Sequence, residues 1–436
     1  MNNQTEQVTV VGGGLAGSEA AYYLAKQGIQ VTLIEMKPHK FTPAHESGGF
    51  GELVCSNSLK SNDPYANACG LLKEEMRILG SLTMQAAENA KVPAGAALAV
   101  DRERFSEFIT RALETQPNIK IERREVESLD ELDEGYAIVA TGPLTADRLS
   151  ESISARFGKL HFYDASAPIV AAESTDMSQA FTGDRYGKGT GDYINCPMDR
   201  DEYYTFVTEL LAAEKAELHE FEKREIFEGC MPIEVMASRG VDTLRYGTLK
   251  PVGLFGEDGK RPFAVLQLRK ENESGTAYNL VGCQTNLKFP EQKRVFSLIP
   301  ALKNAEYLRY GVMHRNTYIE SPSVLNRDFS VKNNGRLYFA GQITGVEGYV
   351  ESAASGLLAA LHLSDKLLGR TERVFDGETV CGALENHIST PNKDFQPMNA
   401  NYGILNPLGV RIKDKKERYK ALSERALERI RTLLLD

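Results

Sequence analysis

The sequence predicts an α/β fold interrupted by an inserted α+β domain, and three observations predict it. A β-branched run, QVTVV at 7–11, enters a glycine-rich turn and then a helical stretch. The βαβ rhythm stops between about residues 156 and 325. It then resumes with a strand and a second glycine turn at 336–342. The 436-residue chain is thereby expected to divide into 1–155, 156–325 and 326–436, the first and third stretches forming one Rossmann-like domain and the middle one a substrate domain.

The first unit carries the most information. After the run at 7–11 come Gly12, Gly13, Gly14, Leu15, Ala16 and Gly17, a G-x-G-x-x-G turn. A helical pattern follows over 18–27, with Gly28 suited to the position past its end, and a second strand over 30–34 closes on Glu35. Each part has a mechanical reason. Gly12 permits the tight turn, Gly14 lets backbone approach a pyrophosphate, and Gly17 brings helix and sheet together. The helix N-terminus offers unpaired N–H groups and a partial positive charge, and Glu35 stands where an acid accepts hydrogen bonds from a ribose.

Later segments decide which dinucleotide is expected. A strand at 136–140 runs into Thr141 and Gly142, and a strand at 336–340 runs into Gly341 and Gln342, with a helix from about residue 351. Two-domain flavoproteins return to their sheet in this way, and the resemblance implies FAD in an extended pose. Gln342 departs from the Asp usual in such proteins, although an amide also hydrogen-bonds a ribityl hydroxyl or phosphate. The G-x-G-x-G at 187–191 is followed by DYINCP, which cannot open a helix, so no second nucleotide-binding unit is expected. NAD(P)H must then visit the flavin directly.

The middle stretch reads as mixed strands, 263–269 and 277–282, with a helix over 200–223. The C-terminal stretch 411–431 holds nine Lys/Arg against four acids, in a chain whose formal net charge is −9. That overall charge argues against a protein coating nucleic acid by bulk electrostatics, whereas a local basic helix remains compatible with RNA contact. No stretch approaches the roughly 18 apolar residues of a membrane span, no secretory signal precedes the first strand, and the six cysteines have no zinc-like spacing. The expectation is a cytoplasmic protein with reduced thiols and no metal.

Two of those thiols stand in unusual company. Cys55 lies in a polar segment, ELVCSNS, soon after the first βαβ unit, and Cys230 lies in FEGCMPIE, where glycine and proline mark a turn of the insertion. Buried structural thiols more often sit within apolar runs.

Through these and further segments the chain resembles over nearly its whole length the folate- and FAD-dependent tRNA (uracil-5-)-methyltransferases, the TrmFO family. The stretches that carry the resemblance include VVGGGLAGSEAAYYLA (10–25), ELVCSNSLKSN (52–62), ALAVDRERF (97–105), FEGCMPIEVMA (227–237), YGVMHRNTY (310–318) and FAGQITGVEGYVESAASG (339–356). The resemblance implies methylation of C5 of an RNA uridine, most naturally the T-loop uridine 54 of tRNA. It implies 5,10-methylenetetrahydrofolate as carbon donor, passing through an adduct on reduced flavin, and NADPH or NADH as reductant. A thiolate suits conjugate addition to uracil C6, after which C5 must lose its proton to a base. Cys230 is assigned to C6 and Cys55 to acid/base or methylene handling, with the reverse assignment left open. Tyr349 is placed near the isoalloxazine, where its face would stabilise a cation by about 0.5–2 kcal/mol. His314 and Arg315 are candidates for folate or phosphate. A ribosomal RNA target stays open as an alternative, while the pair of cysteines weighs against a non-methylating RNA-binding scaffold.

Overall fold

A computed structural model describes residues 7–434 apart from 43, 159, 188, 217–230, 257–258 and 394. Its first sheet has six strands in the order Ser330–Val331, Asn334–Phe339, Tyr136–Val139, Gln7–Val11, Gln30–Glu35, Ile119–Arg123. All neighbours run parallel except the first pair, an antiparallel edge. The chain leaves the middle strand Gln7–Val11 in one direction, towards Gln30–Glu35, and returns on its other side at Tyr136–Val139. That reversal is a topological switch point, where the carboxyl ends of parallel strands leave a crevice. Both faces of the middle strand are covered at its carboxyl end, since Val8 and Val10 on one face and Val11 on the other are all buried.

The fingerprint helix spans Leu15–Lys26, three residues earlier than its periodicity suggests, because the glycine turn itself forms the helix N-terminus with Gly14 as N-cap. Gly28 takes φ +85° past its end, as expected. The returning helix spans Tyr349–Leu367 and packs across the fingerprint helix. Contact is backbone on backbone. A Cβ at Gly356 would lie 2.1 Å from the carbonyl oxygen of Ala16, and one at Gly17 would lie 1.8 Å from that of Gly12.

The second six-stranded sheet is wholly antiparallel, in the order Phe181–Thr182, Tyr193–Met198, Ala264–Lys270, Ala277–Leu280, Ile169–Ala171, Tyr307–Arg309. Helices Arg200–Ala212 and Phe289–Phe296 cover it around a separate core containing Phe206, Leu266, Leu268 and Phe296. The first of these stops at Ala212, and the end of the helix expected over 200–223 lies outside the described residues. A two-stranded ribbon, Leu160–Ala165 with Met313–Tyr318, stands between the two sheets in the chain. The basic stretch forms a terminal helix, Lys415–Leu433, fastened by Arg425 to the carbonyls of Asn406 and Pro407 and by Arg429 to Asp376. Lys413, Lys415, Lys416 and Lys420 remain exposed.

Gly356→Ala is expected to destabilise the fold by about 1–3 kcal/mol or more, because backbone has no side chain to move aside. Thermal melting of the variant tests this; an unchanged midpoint would contradict the close approach.

Candidate active site

The cleft opens at the switch point and encloses about 1100 Å³, including its mouth. Three strand ends build it: Gly12 and Gly14 after the first, Thr141 and Gly142 after Tyr136–Val139, and Gly341 and Gln342 after Asn334–Phe339. Leu15, Ala16, Glu35 and Tyr349 complete the predicted lining. Gly13 and Gly17 do not face the cleft. Gly13 lies under the ring of Phe50, and Gly17 packs on Gly12, so both shape the turn.

Three observations show that these residues fit a dinucleotide. A Cβ at Gly14 would meet no protein atom within 4 Å, although its neighbours are crowded, so the open space there is the cleft itself. The fingerprint helix has no side-chain cap and no acid in its first turn, which leaves its N–H groups for an anion. At Gly12, φ is +99° and the carbonyl of Ala140 lies 2.6 Å from any added Cβ, so glycine alone makes this turn.

Glu35 does more than was expected. One carboxylate oxygen accepts the Gly13 N–H at 2.6 Å and the other the Lys37 N–H at 2.9 Å, so the acid braces the glycine turn as well as facing the cleft. Gln342 donates its amide N–H to Glu347 and keeps its amide oxygen free of that bond. In the opposite wall, His45 is held below its usual range by burial and then by Lys37, which favours the neutral imidazole at neutral pH.

Tyr349 in the cleft lining is paired with Cys55, next to the lining residue Val54. The backbone N–H groups of Cys55 and Ser56 donate to the Tyr349 hydroxyl oxygen at 2.7 and 3.3 Å, and the Cys55 sulfur lies 3.0 Å from it. With both lone pairs occupied by amides, the phenolic proton is directed at the sulfur. Burial, and then the neighbouring thiol, push the phenol well above its ordinary pKa, so the hydroxyl stays a donor. The Tyr349 hydroxyl is thus engaged with Cys55, a contact the sequence did not indicate.

Two guanidinium groups hold the same segment. Arg102 donates to the carbonyls of Leu53 and Val54 and to Glu271 at 2.7 Å. Arg269, on a strand of the second sheet, donates to Ser56 Oγ at 2.8 Å and to the Asn57 side-chain oxygen at 2.9 Å. Burial lowers the pKa of Arg269, with Glu271 opposing; at Arg102 burial acts the same way but Glu271 outweighs it. Sequence reasoning singled out neither arginine, although the VDRERF segment bearing Arg102 was among the resembling stretches. Cys230 lies outside the described residues, as do the side chains of His314 and Arg315. What is described beyond Cys230 is firmly held: Ile233 N–H donates to the Gln284 carbonyl, and Glu234 accepts from Thr285 and Asn286. Among the described cysteines only Cys55 is not buried.

Comparison with known proteins places the chain among relatives of one kind. Residues 7–371 match the family model described as glucose inhibited division protein A. The protein named methylenetetrahydrofolate–tRNA-(uracil-5-)-methyltransferase TrmFO from Desulforamulus reducens is 57% identical over 426 residues, covering 97% of this chain and 96% of that protein. The protein of the same name from Acetivibrio thermocellus is 54% identical over 427 residues, covering 97% of each. Among solved structures, Aquifex aeolicus GidA in its form I crystal superposes with a TM-score of 0.70 at 17% identity, over 99% of this chain and 76% of that one, a likeness of fold.

Two outcomes test this geometry. Brief alkylation of the folded protein should label Cys55 well before Cys69, Cys196, Cys283 or Cys381 by peptide mass mapping, since burial shields the latter four and pushes the Cys196 thiol up to about 12. Gly14→Ala should leave the melting temperature of the flavin-free protein nearly unchanged and weaken FAD retention on gel filtration; full retention would remove the pyrophosphate from this turn.

Proposed function

The chain belongs to the TrmFO family of methylenetetrahydrofolate-dependent tRNA (uracil-5-)-methyltransferases, and from that premise we propose that it methylates C5 of the T-loop uridine 54 of tRNA. The observation that supports this reading best is the Cys55 thiol held by the hydroxyl of Tyr349, a residue lining the dinucleotide cleft. The carbon comes from 5,10-methylenetetrahydrofolate. FAD, when bound and reduced by NAD(P)H, supplies the electrons that take the methylene to methyl. Gly12, Gly14, Leu15, Ala16, Glu35, Thr141, Gly142, Gly341 and Gln342 are the residues proposed to hold it, with Gly13 and Gly17 keeping the turn in shape.

The chain's own groups divide the remaining work. A thiolate, assigned to Cys230, bonds to C6 of uracil and makes C5 nucleophilic towards the one-carbon unit. The proton displaced from C5 passes to Cys55, and loss of the C6 sulfur restores the double bond. The Tyr349 hydroxyl orients the Cys55 sulfur and donates to it, while Arg102 and Arg269 keep the segment 53–57 in place. The division 1–155, 156–325 and 326–436 is retained as the proposed domain organisation. Among the described residues no helix is long and apolar enough to cross a membrane, and the proposed location is the cytoplasm, where tRNA and reduced thiols coexist.

RNA bearing 5-fluorouridine at the target position tests the assignment, because fluorine at C5 cannot leave as a proton does. The parent protein should form a covalent complex that survives denaturing electrophoresis. Cys230→Ala should lose both the complex and methylation, whereas Cys55→Ala should lose methylation by about 10²–10⁴ and keep some complex. An exchange of these two outcomes reverses the roles. Methyl label reaching RNA from S-adenosylmethionine would contradict the reading altogether.

A further inference from the structure

Of the three most exposed aromatic rings among the described residues, two, Tyr246 and Phe255, lie in the segment 246–255, and the third, Tyr186, packs against Gly253 of that segment. Tyr246 is 76% exposed, Tyr186 66% and Phe255 56%. Single exposed rings are ordinary on protein surfaces, and their collection in one place is not. The region is continuous. Arg185 donates to the carbonyls of Lys250 and Val252, and Tyr186 leans on Gly253 and donates its N–H to the Gly253 carbonyl at 3.0 Å. Tyr186 also holds φ +61°, ψ 22°, a left-handed conformation that a bulky side chain rarely adopts and that turns its ring outwards here.

Cations accompany the rings. The Arg245 guanidinium lies over Phe263 at 3.9 Å and 5.2 Å from the Tyr246 centroid, and Arg261 lies 5.7 Å from that of Phe255. Lys250 and Arg261 are exposed between them. In a chain of net charge −9, aromatic faces interleaved with Lys and Arg complement a polyanion that also carries flat apolar groups. Unpaired RNA is such a partner, since its splayed bases stack on aromatic side chains while its phosphates meet cations.

The patch is also joined to the catalytic segment. Arg185 donates to Gln267 at 2.8 Å, and Arg269, two residues further along the strand Ala264–Lys270, donates to Ser56 beside Cys55. Residues two apart on a strand share a face and lie about 7 Å from each other. Partly buried hydrogen bonds on one strand face, Arg185 to Gln267 and Arg269 to Ser56, therefore link the segment bearing Tyr186 to the segment bearing Cys55.

We propose that Tyr186, Tyr246 and Phe255 form a stacking platform for unpaired bases of the RNA substrate, with Arg245, Lys250 and Arg261 meeting its phosphates. This rests on the methyltransferase reading above and deepens it. The platform holds the loop that carries the target uridine.

The chain contains no tryptophan, which provides a direct probe. Tyr246→Trp and Phe255→Trp each introduce a single indole at an exposed position. A T-arm hairpin RNA should quench its fluorescence, and heparin, a polyanion without bases, should not. In parallel, the double variant Tyr246→Ala/Phe255→Ala should raise KM for tRNA at least about tenfold, with Tyr246→Phe/Phe255→Tyr restoring it, while FAD content and melting temperature report the fold. Equal quenching by heparin and hairpin, no response to RNA, or a KM within twofold of the parent in the alanine variant would each overturn the platform. Quenching by the hairpin in a protein whose parent transfers no methyl group would overturn the enzyme reading and leave the platform standing.

Discussion

Two helices meet at the switch point without side chains between them, and the rest of the site depends on that contact. Gly17 lets the fingerprint helix rest on its own turn, and Gly356 lets the returning helix rest on Ala16. The two N-termini, at Leu15 and Tyr349, are thereby brought to the same crevice. Gly356 is seven residues from Tyr349, about 10 Å along a helix. A contact at one end of that span thus decides where a phenolic hydroxyl stands at the other, and that hydroxyl holds the backbone and sulfur of Cys55. Packing of backbone on backbone is in this way converted into the position of the Cys55 thiol.

The thiol segment answers to both halves of the molecule. Tyr349 and Arg102 approach it from the dinucleotide-binding half, and Arg269 from the second sheet. The ion pair of Arg102 with Glu271 joins the two halves a few ångströms away and is largely buried. A buried ion pair contributes little net stability, since desolvation offsets most of the attraction, yet removing one partner strands the other. Its value here is geometric: the second sheet cannot shift without disturbing a network that ends at Cys55. The two halves therefore share hydrogen bonds to a segment of five residues, 53–57.

The charge distribution follows the same division. The chain is acidic overall, and the cations that stand out are either committed to carbonyls and carboxylates around the site, as Arg102 and Arg269 are, or exposed beside aromatic rings, as Arg261 is. The terminal helix shows both uses within one element. Arg425 and Arg429 fasten it to the fold, and the lysines near its start face outwards. Its basic composition thus had two causes, one structural and one a surface property.

The sequence by itself determined the strand–turn–helix–strand unit, its closing acid and the return of the chain to the sheet, because each is written in neighbouring residues. A β-branched run, glycines at fixed offsets and a helical period need no distant partner to be recognised. It also marked Cys55, Cys230 and Tyr349 through the family resemblance. It did not separate Gly14, which opens on the cleft, from Gly13 and Gly17, which face Phe50 and Gly12; all three are glycine, and only the packing around each decides what its missing side chain leaves room for. Nor did it show that Glu35 braces the turn, that the Tyr349 hydroxyl holds Cys55, or that Arg102 and Arg269 converge on residues 53–57. Those partners lie 22, 294 and, for Arg269, 213 residues away in the chain. Tertiary structure decided them because a hydrogen bond depends on distance in space, and only the closed fold, with its two helices in contact and Arg269 of the second sheet beside the segment 53–57, makes such separations short.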